Sequence, residues 1–65
     1  MSMKHTLKYW RTEEDYNVGD AHNLSTTLSL EDGLDVFRAF VRIGRHFAME
    51  LYETVSGETV EHTHV

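Results

Sequence analysis

Ser29-Leu30-Glu31-Asp32-Gly33-Leu34-Asp35-Val36-Phe37-Arg38-Ala39-Phe40-Val41-Arg42-Ile43-Gly44 is the stretch from which the fold is read, and its pattern predicts an amphipathic helix. Ser29 suits the N-cap, because its hydroxyl can accept from the free backbone N–H groups of the first turn, and Asp32 three residues on completes a loose capping box. Gly44 supplies the stop. Glu31, Asp32 and Asp35 fall in the first half, whereas Arg38, Arg42 and Arg45 lie towards or beyond the end, so charge runs with the helix dipole. Leu30, Leu34, Phe37 and Val41 form one stripe at helical spacing. Phe40, Val36, Ile43 and Ala39 widen it to more than half the circumference, more than one sheet face can cover. The surplus can be covered by loops and the chain ends. Alternatively Val36, Ala39 and Ile43 border a contact with a second chain, since exposed apolar patches mark interaction sites.

Working outward, residues 4–12 alternate and are rich in strand formers, which predicts a first strand with Leu7 and Tyr9 on one face and Lys4, Thr6, Lys8 and Trp10 on the other. Trp10 is then the odd apolar residue on a polar face. It is either covered by neighbouring lysine stems or serves as a binding anchor. Residues 13–22 show no sustained period and read as a long loop, and loops of that length are often functional. Residues 23–28 form a second strand, with Leu24, Thr26 and Leu28 inward and Ser25 and Thr27 outward, leading straight into the Ser29 cap. After the helix, residues 46–55 form a third strand with Phe47, Met49 and Leu51 towards the core and Ala48, Glu50 and Tyr52 opposite. Ser56-Gly57 reads as a two-residue hairpin turn that pairs Val55 with Glu58 and Leu51 with His62, so that residues 58–65 add a short fourth strand.

The expected architecture is a single α+β domain over residues 1–65: a β-β-α-β-β chain forming an antiparallel sheet of three or four strands in the order 2-1-3-4, with one helix packed on one face. The open face would carry Trp10, Tyr52, Lys8, Glu50, Ser25 and Thr27. A 65-residue chain buries only about 60% of the surface it exposes unfolded. With no cysteine there is no disulfide to reinforce it, which favours a homodimer or a bound partner and fits a reducing cytoplasm. No apolar run approaches the roughly 20 residues that span a membrane, and Met1-Ser2-Met3-Lys4 lacks a signal peptide's apolar region. The expectation is a cytoplasmic protein with no membrane partner.

The formal charge of −5 is unevenly spread: residues 1–11 carry +3, 12–37 carry −7, 38–46 carry +3 and 47–65 carry −4. Duplex binding draws its affinity from a basic face, so this distribution argues against direct nucleic-acid binding. Solubility alone would also account for an acidic surface.

Chemistry-bearing patterns are sparse. Asp15-x-Asn17-x-Gly19-Asp20 begins like a calcium loop, but its glycine is one place early and Thr26 stands where the bidentate glutamate belongs. His62 and His64 share one side of an extended segment, and zinc needs further ligands at matched distances. No serine, histidine and carboxylate set follows from spacing, and Glu13 and Glu14 show no apolar pocket that would raise a pKa. The expectation is a non-enzyme with no cofactor and no metal.

With Leu7-Lys8-Tyr9-Trp10 opening this layout and Leu28-Ser29-Leu30-Glu31-Asp32 entering its helix, residues 4–55 resemble small phage-encoded inhibitors of host nucleic-acid enzymes. Two families are similar in layout: the podophage inhibitor of bacterial RNA polymerase, with a tryptophan-bearing first strand and an acidic helix start, and the phage inhibitor of uracil-DNA glycosylase, whose helix opens after a similar Leu-Ser-Leu. Where the first family uses arginines on its last core strand, this chain has Glu50 and Glu53. Where the second presents an aromatic side chain near its helix start, this chain has Gly33, with Phe37 a turn later. The resemblance implies an acidic protein-binding domain in the host cytoplasm that covers an enzyme's nucleic-acid-binding surface, with Glu13, Glu14, Asp15 and Asp20 standing in for phosphates and Trp10 and Tyr52 among the contacts. Two alternatives stand beside it. One is a single-strand binder stacking bases on Trp10 and Tyr52, with Lys4, Lys8 and Arg11 on the backbone. The other is a structural homodimer or assembly subunit joined through Val36, Ala39 and Ile43.

Overall fold

A computed structural model describes residues 3–64 and shows an α+β fold. Its elements are β1 (His5–Trp10), α1 (Glu13–Val18), β2 (His22–Leu28), α2 (Leu30–Ile43), β3 (Ala48–Glu53) and β4 (Thr59–His64). The four strands form one sheet in the order β2-β1-β3-β4, antiparallel throughout, as the chain order implied. The last residue of the expected fourth strand, Val65, lies outside the described residues.

Helix α2 forms as its ends dictate. The Ser29 hydroxyl accepts from the Asp32 N–H at 3.1 Å, and Gly44 closes the helix in the left-handed region at φ 73°, donating its N–H to the Phe40 carbonyl. The helix lies on one face of the sheet over Leu7, Met49 and Leu51, with Phe37 completing the buried cluster and Tyr9, Leu28, Leu34, Val36 and Phe40 packed around it. Gly33 is buried at the closest approach: a Cβ there would stand 2.9 Å from Leu51 Cδ1. Glycine in a helix interior costs about 1 kcal/mol relative to alanine. Its smallness here lets the helix settle onto β3.

Three expectations are corrected. Residues 13–18 are helical, because Thr12 caps them by accepting from the Asp15 N–H, Glu13, Glu14 and Asp15 occupy the favourable end of the dipole, and Gly19 stops the helix at φ 75°. A six-residue helix is too short to show an apolar period. Strand β2 does not alternate: two irregularities in its pairing with β1 place Ser25 opposite Leu7, so the half-buried positions are His22, Ser25 and Leu28, and Leu24 is exposed. The β3–β4 connection is a five-residue segment, residues 54–58, closed by the Glu53 N–H to the Glu58 carbonyl and the Gly57 N–H to the Glu53 carbonyl. Gly57 takes φ 76° and Val55 is exposed at the loop. The register moves accordingly, with Leu51 facing Glu61 and Glu50 facing His62.

The close approach at Gly33 gives a direct test. Gly33→Val forces its branched side chain into Leu51 and should destabilise the domain by about 1–3 kcal/mol in urea titration. Unchanged stability would mean that α2 does not sit this close to β3.

Candidate functional site

The sheet face away from α2 is organised along β1 by Thr6, Lys8 and Trp10, opposite Tyr52, Glu50 and Ala48 of β3. At one end the Thr54 hydroxyl donates to the Thr26 carbonyl at 3.0 Å, so the Thr6 hydroxyl must donate to Thr54 Oγ1 at 2.8 Å. These two bonds tie β1, β2 and the segment after β3 together. In the middle Lys8 Nζ lies 3.4 Å from Glu50 Oε1 and 5.1 Å from the ring centres of both Trp10 and Tyr52. Such cation–π contacts contribute about 0.5–2 kcal/mol each, the larger values when desolvated. Glu50 also accepts from the Thr59 hydroxyl of β4.

At the other end α1 folds over the sheet. Tyr16 sets its ring edge-on to Trp10 at 5.0 Å between centroids and also meets Phe47 and His64, each at 5.5 Å. Phe47, expected beside Met49 and Leu51, turns to this side instead because it precedes β3, where its N–H bonds the Trp10 carbonyl at 2.8 Å. Ala48 is fully buried opposite Trp10, and a small side chain there leaves room for the indole. Trp10 is consequently only 9% exposed, and its indole N–H is buried without an acceptor among the described residues. It is an internal post, covered by Lys8 and Tyr16, and offers no open stacking surface. Tyr52 is half-buried under Lys8.

The aromatic contact fixes the acidic helix. Glu13, Glu14 and Asp20 are exposed and Asp15 is half-buried, with the Asp20 N–H donating to the Asp15 carbonyl at 2.9 Å. Val18 on the same helix is 72% exposed. Glu31, Asp32 and Asp35 do not join this group, because β2 runs back along β1 and α2 begins beside His5, at the far end of the sheet. The seven acids that are continuous in sequence are thus split between two ends of the molecule.

The three residues read as an interface also divide. Val36 packs against the core cluster, whereas Ala39 and Ile43 are exposed, Ile43 to 60%. Ile43 belongs to a cleft of about 500 Å³ where β1, α2 and the turn after α2 meet, lined by Tyr9, Arg11, Phe40, Ile43, Arg45 and His46. Sequence reasoning passed over this cleft, since its residues lie far apart along the chain. His62 and His64 have ring centres 6.3 Å apart, and no group of three or more His, Asp or Glu side chains is placed to hold a metal among the described residues.

No family model, no curated protein and no solved structure matches the chain.

The contact between Tyr16 and Trp10 is open to a spectroscopic test, because Trp10 is the only tryptophan. Tyr16→Ala should red-shift the Trp10 emission and increase its quenching by acrylamide, while Val18→Ala leaves both unchanged. A Trp10/Tyr16 double-mutant cycle should give about 0.5–1.5 kcal/mol of coupling.

Proposed function

We propose that this chain is a small non-catalytic protein-binding domain, an inhibitor of the phage type that occupies the nucleic-acid-binding surface of a host enzyme in the cytoplasm. The observation that carries the reading is the exposed carboxylate group on α1 and just past its C-cap, Glu13, Glu14 and Asp20, beside the exposed Val18. None of these acids has an ion-pair partner among the described residues, where Lys8–Glu50 is the one salt bridge. Unpaired carboxylates on a docked helix offer a partner's lysines and arginines acceptors at fixed spacing, and Val18 adds an apolar contact at their edge. Complementary charge of this kind raises the association rate and selects partners with basic surfaces. Base stacking on Trp10 and Tyr52 is disfavoured by the cover that Lys8 and Tyr16 give those rings.

Capture from a bacterial lysate on the tagged protein, quantified by mass spectrometry, tests this reading. The triple variant Glu13→Gln, Glu14→Gln, Asp20→Asn removes charge from exposed positions and should keep the native circular dichroism spectrum. It should reduce recovery of a discrete partner by about tenfold, the equivalent of about 1.4 kcal/mol. Raising salt should weaken capture by the parent, because a Debye length of about 10 Å at 0.1 M screens exposed charges. Capture indifferent to the triple variant would refute the reading, as would submicromolar oligonucleotide binding that Tyr52→Ala abolishes.

A further inference from the structure

We propose that the cleft between β1 and the end of α2 is a binding site for a small planar anion, a flat ring carrying an anionic group, of about the size of a nucleoside monophosphate. Its volume of about 500 Å³ falls within the roughly 300–1,000 Å³ of small-molecule sites. The lining separates into two chemistries. Tyr9, Phe40 and Ile43 give an apolar wall, with the Tyr9 and Phe40 ring centres 6.4 Å apart at 28° between planes and the His22 ring 5.4 Å from Tyr9. Arg11 and Arg45 line the cleft from two different segments, beside His46.

In a chain of net charge −5, neither arginine is spent on an internal carboxylate: among the described residues no acid lies within salt-bridge distance of Arg11 or Arg45, although Glu13 and Glu14 follow Arg11 closely in sequence. Arginines at a helix end are expected to offset the dipole. That role accounts for Arg42 in the last turn of α2, but Arg11 follows β1 and stands just before the Thr12 cap of α1, the end of a helix dipole where a cation is not favoured. His46 Nδ1 is buried without a hydrogen-bond partner. An anion in the cleft, being an acceptor, would satisfy it in the tautomer that carries the proton on Nδ1. The frame is fixed on both sides, by the Gly44 cap bonded to Phe40 and by the Phe47 N–H bonded to the Trp10 carbonyl. Ring and anion recognition therefore converge in one concavity, on elements held by backbone hydrogen bonds. The size of the cleft suits a small molecule better than a peptide strand, which would need a groove running on past it.

The test is a ¹⁵N-NMR titration of the full chain with adenosine 5′-monophosphate, adenosine and inorganic phosphate as separate probes. The nucleotide should shift the amides of Tyr9, Arg11, Phe40, Ile43, Arg45 and His46 as one saturable set, and bind at least tenfold more tightly than adenosine or phosphate. Arg11→Glu with Arg45→Glu changes two exposed residues, so folding is checked from the unshifted core resonances, and nucleotide binding should fall by at least tenfold. Arg11→Lys with Arg45→Lys should fold and bind at an intermediate level. Absence of saturable shifts at millimolar nucleotide would overturn the proposal. So would shifts confined to other residues, equal binding of phosphate alone, or equal binding by the Glu variant. The acidic helix is not involved, so this outcome is independent of the protein-binding reading.

Discussion

The contact on which the rest of the molecule depends is the pair Leu7 and Leu51, directly opposed across β1 and β3 and closed to solvent by α2 at Gly33. Both leucines are fully buried, and each lies on an inner strand of the four-stranded sheet. Full burial of such a side chain contributes about 1.5–3 kcal/mol, a large share of the stability available to a domain of this length. Holding α2 close at Gly33 brings Phe37 and Leu34 down onto the same cluster. The helix then runs about 21 Å, at 1.5 Å for each of its 14 residues, and ends beside β1 where the cleft forms.

A sheet whose inner strands carry apolar side chains on both faces needs two covers, and 65 residues supply them unequally. The long helix covers one face. The other is divided among a hydroxyl bridge, a lysine laid over two aromatic rings and the short helix α1, each protecting a different third of β1. This division places the acids. Because Tyr16 is the residue that seats α1 on Trp10, the carboxylates around it are held on a short helix at the end of β1. Arg11, after β1, and Arg45, after α2, line the cleft near the same end of β1 as that helix, so the molecule carries a basic concavity and an acidic edge at the same end.

How much of this could be read in the sequence depends on how local each signal was. Ser29 with Asp32, and Gly44 at the other end, bracket α2 within one stretch, and the strand order follows from short antiparallel connections. Thr12 with Asp15, and Gly19 after them, carry the same cap and stop chemistry for α1, but the helix between them is too short for periodicity to confirm it. The bulges of β2 are invisible to an alternation rule, which points Leu24 inward and Ser25 outward. Trp10 was placed on the correct face, yet its burial depends on Tyr16, which only the recognition of α1 brings near. The cleft could not be read at all, since Arg11, Phe40 and Arg45 converge only once β1 and α2 are packed.

Native-state hydrogen exchange at the backbone of α1 tests the central claim, that the acids are presented on a docked helix. The Tyr16 N–H donates to the Thr12 carbonyl at 3.1 Å and the Asp20 N–H to the Asp15 carbonyl at 2.9 Å. Both amides should exchange at least tenfold more slowly than in an unstructured chain, and Tyr16→Ala should remove the protection at Asp20 while amides of β1 keep theirs. Exchange of Tyr16 and Asp20 at unstructured-chain rates in the parent protein would contradict the account, because the carboxylates would then belong to a mobile loop with no fixed spacing to offer a partner.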